Sequence, residues 1–296
     1  MKGVVELSTR NLFTVKDKIA LVTGGGSGIG KMIAAAFVAN GARVYIAARK
    51  EGQLKAAAEE LNKAGPGTCE YIVADLSSKA GCQALISMFK SREQKLHILV
   101  NNSGVAWGAP YDDFPEKEGW DRVLAVNVKS IFYMTQGLTD FLAKDATSFD
   151  PGRVINISST AALDPHAEDT SLANKGNGLW SYNTSKAAAN HLTSLLAVTL
   201  CPKHITVNAI LPGVFPSKMT AFGFRRTGED KMAAAQPSGR VGSPTDMAGL
   251  ALFLCSPASA YVTGNHIVID GGSVLVRTKA AFQDVSASPT PTPSKL

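Results

Sequence analysis

No stretch of this chain reaches the roughly 18 consecutive apolar residues of a membrane-crossing helix, so no transmembrane span is expected. Cysteine is scarce, and Cys69, Cys82, Cys201 and Cys255 are scattered without metal-ligand spacing. That argues against a zinc ribbon or a disulfide framework. It reads as reduced thiols in an intracellular protein, with no metal site expected. The first residues, MKGVVELSTRNLFTVKDK, have no secretory apolar core. With Glu6, Asp17 and few arginines they also make a poor mitochondrial presequence. A nucleic-acid binder would cluster its basic residues with aromatics on one face. Here the net charge of +6 is dispersed. A solvated basic surface is the plain reading, compatible with a modest attraction for phosphorylated cofactors or anionic thioester substrates.

What is present is an alternation of short apolar runs and helical stretches. The 296 residues, 45% hydrophobic, allow one large α/β domain or two small ones. Residues 19–22 form an apolar run of the buried-strand kind. Gly24-Gly25-Gly26-Ser27-Gly28-Ile29-Gly30 follows, then a helix with apolar Ile33, Ala36 and Phe37 that ends at Gly41, then a second strand at 44–47. This is a βαβ unit with a glycine-rich first turn. Only glycine lets the backbone come close to a pyrophosphate there, and the helix N-terminus faces the charge. Further strands are expected at 71–74, 98–100, 153–157, 205–210 and 266–269, and helices at 51–64, 78–93, 120–141, 182–200 and 245–255. The second strand runs into Arg49-Lys50, where an NAD-dependent protein would carry an acid for the ribose hydroxyls. An arginine there can bind a 2′-phosphate bidentately, so the spacing predicts NADP(H) rather than a mere loop charge.

Tyr182 and Lys186 are four apart on a predicted helix and so share a face. An ammonium beside a phenol favours the phenolate and lowers its pKa, which makes Tyr182 a candidate acid/base. By itself the pair also reads as a half-buried ring and a solvated charge. Ser158-Ser159 closes the predicted fifth strand, at the strand end where open parallel sheets place their sites.

The spacing from Thr23 to Gly30 resembles the turn of the short-chain dehydrogenase/reductase family, TGxxxGxG, at every fixed position. Asn101-Asn102-Ser103-Gly104 (the family writes NNAG), Asn127, Ser159, Tyr182-x-x-x-Lys186 and Pro212-Gly213 follow in the family's order. The resemblance covers roughly residues 16 to 275. It implies a single α/β domain, a Rossmann-type doubly wound parallel sheet of about seven strands with helices on both faces. It also implies a catalytic tetrad of Asn127, Ser159, Tyr182 and Lys186. In it Ser159 and Tyr182 polarise a carbonyl, Tyr182 gives the proton, Lys186 binds the nicotinamide ribose, and Asn127 kinks its helix and relays protons through water. Cofactor contacts are implied at Thr23, Gly24, Ser27, Gly28, Ile29 and Gly30, at Arg49 and Lys50, and at Asp75 and Leu76. Further ones are implied at Asn102, Ser103 and Gly104, at Tyr182 and Lys186, and at Pro212, Gly213 and Val214. Either Ser217 or Thr220 would contact the cofactor as well. Asn101 would brace the sheet. The implied activity is an NADP(H)-dependent carbonyl reductase or alcohol dehydrogenase, running as a reductase, on a 3-oxoacyl thioester or a secondary-metabolite ketone. A polyol or sugar dehydrogenase is an alternative. So is a dienoyl-CoA reductase, although those enzymes lack the tyrosine. A catalytically dead NADP-binding sensor is a reading from another class.

Twenty-two residues separate Ser159 from Tyr182, where many members of the family have about a dozen. The excess, LDPHAEDTSLANKGNG, is polar and irregular and is expected to form a lid or specificity loop. His166 within it reads as an exposed loop histidine rather than a second acid/base. Residues 216–240, with Phe222, Phe224, Arg225, Arg226 and Met232, fall where the family has a mobile substrate-binding segment. Arg225-Arg226 could steer a phosphate-bearing carrier, though a solvated charge pair is the plain reading. The domain is expected over 18–276, after a leader at 1–17 draped over it. The proline- and serine-rich tail at 277–296 cannot bury a core and is expected to be disordered. Ser294-Lys295-Leu296 reads as a peroxisomal address met by an import receptor, with cytoplasmic residence as the alternative. The family implies a homo-oligomer, a tetramer or dimer joined through the helices at 120–141 and 182–200.

Overall fold

A computed structural model describes residues 7–168, 170 and 173–276. The expected tail, its Ser294-Lys295-Leu296 ending and the first six residues of the leader lie outside the described residues. Seven parallel strands form one sheet in the order β3-β2-β1-β4-β5-β6-β7. They are β1 (Ile19–Thr23), β2 (Arg43–Ala48), β3 (Thr68–Val73), β4 (Ile98–Asn101), β5 (Gly152–Ile157), β6 (Ile205–Pro212) and β7 (His266–Ile269). The central strands β5 and β6 are buried along their whole length, as a sheet covered on both faces requires. The helices are α1 (Thr9–Leu12), α2 (Gly28–Ala39), α3 (Glu51–Asn62), α4 (Lys79–Lys90), α5 (Arg122–Leu124), α6 (Ser130–Ala143), α7 (Trp180–Leu200), α8 (Ala221–Thr227), α9 (Glu229–Ala234) and α10 (Pro244–Cys255). Ile33, Phe37, Leu54, Met247 and Leu254, from α2, α3 and α10, fill the core on one face. Leu85, Phe89, Met134, Leu138, Leu196 and Leu200, from α4, α6 and α7, fill the other.

Within the expected leader, Phe13 and Val15 pack on the domain. Val15 is fully buried, and the Phe13 ring stands 6.5 Å from that of Phe253 on α10. β3 starts three residues before the expected strand, because Thr68, Cys69 and Glu70 pair with Arg43, Val44 and Tyr45. As an edge strand it alternates exposed and buried positions, so no continuous apolar run marks its start. The helix expected at 120–141 is a longer, broken one. It begins as a π-helix at Glu116–Asp121, passes through α5, and turns π-helical again at Ala125–Lys129 before α6. Asn127 sits in that second π stretch, where a wider turn frees a side chain to leave the helix. Among the described residues no helix is long and apolar enough to cross a membrane, and no three His, Cys, Asp or Glu side chains group to hold a metal.

Candidate active site

The sheet order reverses between β1 and β4, and a cleft of about 1040 Å³ opens along the carboxyl ends of the strands there. This is the place where open α/β sheets bind dinucleotides. Its floor is the turn between β1 and α2. Gly28 has a φ of +54°, a conformation side chains resist. A Cβ on Gly30 would stand 2.4 Å from Asn102 Nδ2 and 2.5 Å from the carbonyl oxygen of Gly24. The β1 and β4 turns are therefore knitted too tightly for any side chain at position 30. Asn102 Nδ2 donates to the carbonyls of Thr23 at 2.9 Å and Gly24 at 3.2 Å. Asn101, one residue back, is buried and donates to Asn156 Oδ1 at 2.9 Å, which braces β4 on β5.

Of the residues expected at the cofactor, Gly24, Ser27, Gly28, Ile29, Arg49, Lys50, Asp75, Leu76, Asn102, Ser103, Gly104, Tyr182, Lys186 and Ser217 line this cleft. Thr23, Gly30, Pro212, Gly213 and Val214 are not on its wall. Thr23 is buried behind it, where its Oγ1 accepts from the backbone N–H groups of Asn102 and Ser103, both at 3.0 Å. Gly213 packs against Asp270, whose Cβ would lie 2.6 Å from a Cβ placed there. These residues shape the wall from behind. Between Ser217 and Thr220 the structure distinguishes clearly. Ser217 faces the glycine turn, while Thr220 Oγ1 donates to the Phe215 carbonyl at 2.7 Å and accepts from the Ser217 N–H at 2.9 Å.

Arg49 and Lys50 stand together on the wall at the end of β2, and Lys117, Arg122, Lys129 and Lys218 add further positive charge against Asp75 and Asp121. Such a cationic excess in a cleft focuses a field suited to phosphates. Among the cleft residues that the sequence does not single out are Gln53 and Lys218. Lys218 Nζ donates to Gln53 Oε1 at 2.8 Å, and Gln53 Nε2 donates to the Gly26 carbonyl at 2.9 Å, so the two side chains bridge the cleft beside the glycine turn. No local pattern signals a contact between residues 165 apart in sequence.

At the other end of the cleft, α7 brings Tyr182 and Lys186 against the end of β5. Tyr182 is buried, and Ser159 beside its phenol is half-buried, with its Oγ accepting from the Ala161 N–H at 3.1 Å. Ser158 lines the cleft, its hydroxyl donating to the Lys186 carbonyl at 3.1 Å, and Ser159 is not on the cleft wall. Lys186 Nζ donates to the Ile157 carbonyl at 2.8 Å and lies 5.6 Å from the centroid of the Tyr182 ring. Asn127 is buried behind Gly104. Its Oδ1 accepts from the Val105 N–H, and its Nδ2 donates to the Val105 carbonyl and to Ser185 Oγ, each at 2.9 Å. A Cβ on Gly104 would sit 3.5 Å from Asn127 Oδ1 and 3.6 Å from Lys186 Nζ, so both groups close on one glycine.

The electrostatics correct one expectation. Burial pushes the Tyr182 phenol up, opposed by the Ser159 hydrogen bond, instead of the lysine drawing it down. Burial also lowers the Lys186 ammonium from 10.5 to about 8. Desolvation disfavours the charged form of each group, which raises a phenol and lowers an ammonium. The insertion before Tyr182 contributes walls rather than chemistry. Ala173 and Leu179 are buried with Tyr182 in one apolar cluster, and Gly178 pairs with Ala109 in an isolated antiparallel bridge. His166 is exposed, its Nδ1 at 3.1 Å from Asp164 Oδ1. Arg226 is exposed, as the plain reading has it, and its guanidinium also donates to two carbonyls of the insertion.

A glycine turn at a phosphate-seeking cleft, with a phenol, a hydroxyl and an ammonium at its far end, has the form of a nicotinamide-dependent oxidoreductase site. The family model described as enoyl-(acyl carrier protein) reductase matches residues 24–274. The chain is 42% identical over 265 residues to the rhamnolipids biosynthesis 3-oxoacyl-[acyl-carrier-protein] reductase of Pseudomonas aeruginosa, covering 88% of this chain and 97% of that one. It is 34% identical over 257 residues to the 7alpha-hydroxysteroid dehydrogenase of Escherichia coli K12, covering 87% and 94%. Among solved structures, the Pseudomonas aeruginosa RhlG/NADP active-site complex superposes with a TM-score of 0.80 at 40% identity, over 89% of this chain and 98% of that one. The chain belongs to the short-chain dehydrogenase/reductase family, oxidoreductases that interconvert carbonyl and alcohol groups.

Proposed function

We propose that the protein is an NADP(H)-dependent ketone reductase, with 3-oxoacyl thioesters as the first substrate class to test. The observation that carries the reading is the pairing of two ends of one cleft. Arg49 and Lys50 stand at one end, and Tyr182 and Lys186, with Ser159 beside the phenol, stand at the other. An arginine fork suits the 2′-phosphate of NADP(H) and would leave the hydroxyls of NAD(H) without their acid partner. The glycine turn fits a pyrophosphate, since the positive φ at Gly28 and the closeness of Gly30 to Asn102 leave bare backbone and the α2 N-terminus on the floor. When bound, the cofactor supplies the hydride.

The chain's own residues do the rest. Ser159 Oγ and the Tyr182 phenol hold the ketone oxygen by hydrogen bonds. As the carbon is reduced, the oxygen gains negative charge and takes the phenolic proton, giving a secondary alcohol. A phenol whose pKa is raised by burial keeps its proton, which is the state reduction needs. Lys186 is placed at Gly104 to hold the cofactor's ribose hydroxyls, and Asn127 fixes the β4 loop through Val105. The Pseudomonas relative, a 3-oxoacyl-[acyl-carrier-protein] reductase, supports the thioester class. The steroid relative and the NAD-dependent glycerol dehydrogenase of Listeria innocua support secondary alcohols more broadly. Enoyl reduction, named in the family model's description, is the second reading. Tyr182 beside Ser159 favours the carbonyl, because a proton donor at an oxygen is what carbonyl reduction uses.

The test is NADPH oxidation with 3-oxoacyl thioesters, simple ketones and an enoyl thioester, run beside NADH. Tyr182→Phe should lower turnover by about a thousandfold or more, at the upper end of what one positioned acid supplies, while leaving NADPH affinity nearly unchanged. Full activity in that variant sinks the mechanism. We extend the proposal to a homo-oligomer on the strength of Phe132 on α6 and of Leu195 and Val198 on α7, which are exposed at 44%, 53% and 78%. Light scattering tests it. We extend the proposal to a peroxisomal location on the strength of the tripeptide Ser294-Lys295-Leu296, tested by imaging the tagged chain with and without Leu296.

A further inference from the structure

Arg226 lies exposed on α8 and, like Ala173, is not among the residues lining the cleft, yet it reaches the insertion that packs behind Tyr182. Its Nη1 donates to the Ala173 carbonyl at 2.8 Å and its Nη2 to the Thr170 carbonyl at 3.1 Å. The guanidinium carbon also stands 5.4 Å from the Phe222 ring centroid, so the head group is held from both sides. The carbonyls it holds belong to a segment with little regular structure. Around them, Leu179 N–H donates to the Ala167 carbonyl at 2.8 Å, and Asn183 Nδ2 donates to the carbonyls of Asp164 and His166, both at 3.3 Å. Asn183 thus ties the front limb of the insertion to α7, and Arg226 ties the following limb to α8. Ala173 is the residue through which this matters. It is buried with Leu179 and Tyr182, with Ala106 and Ala161 packed against them, and its Cβ lies 3.3 Å from where a Cβ on Gly108 would be.

We propose that Arg226 is a positioning residue that holds the Ala173 wall against Tyr182 and thereby limits the bulk of ketone that reaches Tyr182 and Ser159. The inference rests on the ketone-reductase reading. A planar fork takes two carbonyls at once, whereas a lysine, as a point charge on a flexible stem, takes one. The contacts of Ser159, Tyr182 and Lys186 and the cationic end at Arg49 do not involve Arg226. Its loss falls on discrimination among ketones and not on cofactor binding.

The experiment uses the full chain with Arg226→Ala, Arg226→Lys and, as a control, the neighbouring exposed Arg225→Ala. Two readouts are taken. In amide hydrogen exchange without cofactor, Arg226→Ala should speed exchange over residues 173–179 by about tenfold, the scale of one lost charge-assisted bond. Arg226→Lys should fall between, and Arg225→Ala should match the parent. In NADPH-dependent turnover, kcat/KM for a bulky ketone relative to a small one should rise about three- to tenfold in Arg226→Ala. That change should come through KM, with the NADPH Kd within about twofold of the parent and partial rescue by Arg226→Lys. Unchanged exchange together with an unchanged substrate ratio overturns the proposal. An equal fall in kcat for every ketone with a shifted NADPH Kd also overturns it, since that marks a merely structural role. If the parent turns over no ketone while Arg226→Ala still loosens 173–179, the tether stands and the reductase reading is what fails.

Discussion

Replacing Lys186 by methionine should abolish turnover and yet strengthen the cofactor-free fold near neutral pH. The ammonium is 4% exposed, and burial brings its pKa from 10.5 to about 8. A displacement of that size is worth about 3 kcal/mol at roughly 1.4 kcal/mol per pH unit. The sign follows from proton counts. In the unfolded chain the amine keeps its proton up to about pH 10.5, but in the folded chain it gives it up near 8. Between those values the unfolded state binds more protons, so stability rises with pH. Below about pH 8 both states are protonated and the full cost of burying the ammonium is present. Above about 10.5 it is gone. The variant is free of that cost at every pH but loses the 2.8 Å bond to the Ile157 carbonyl, a loss of about 1–2 kcal/mol. Lys186→Met should therefore be the more stable chain by about 1–2 kcal/mol near pH 7. It should lose about 3 kcal/mol of that relative standing by pH 10.5. Urea unfolding of both chains across this range measures the difference, and groups common to both, Tyr182 and the buried cysteines among them, largely cancel. A difference that stays flat with pH refutes the reasoning.

Two further outcomes follow from the cleft's opposite end and its floor. Arg49→Asp should weaken NADPH about ten- to a hundredfold, the value of a charge-assisted fork on a phosphate, and raise the relative affinity for NADH, as read by fluorescence titration. An unchanged preference would show that Arg49 does not meet the 2′-phosphate. Gly30→Ala should cost about 3 kcal/mol or more and depress Tm steeply, since its Cβ would stand 2.4 Å from Asn102 Nδ2 and 2.5 Å from a carbonyl oxygen that cannot yield. Gly52→Ala in α3, whose Cβ meets nothing within 4 Å, should be neutral or stabilising by up to about 1 kcal/mol in the same melts.

The sequence-based expectations succeeded where local pattern and physics coincide. The seven strands, the glycine turn and the helix carrying Tyr182 and Lys186 lie where apolar runs and spacing place them, because buried parallel strands read as continuous apolar segments. They erred where tertiary packing overrides pattern. β3 began earlier because its register on β2, not its own hydrophobicity, sets its length. The helix bearing Asn127 turned π-helical where that side chain is bonded to Val105 and Ser185. The phenol of Tyr182 moved opposite to the expected direction because burial, which only the fold decides, outweighs the opposing effect of Ser159.

What the sequence by itself determined is the order of chemistry along the chain: a phosphate-binding turn, a basic residue at the second strand's end, and a Ser, Tyr and Lys set for carbonyl work. These are legible because each depends on residue type at short spacing. What only the tertiary structure decided is which of those residues face the cleft and what holds its walls. Thr23 and Gly213 turned out to stand behind the surface, Ser217 rather than Thr220 faces the turn, Lys218 crosses to Gln53, and Arg226 crosses to Ala173. The reason is physical. Burial and contacts between residues 53 to 165 positions apart arise from folding the whole chain into one sheet, and no local pattern encodes them.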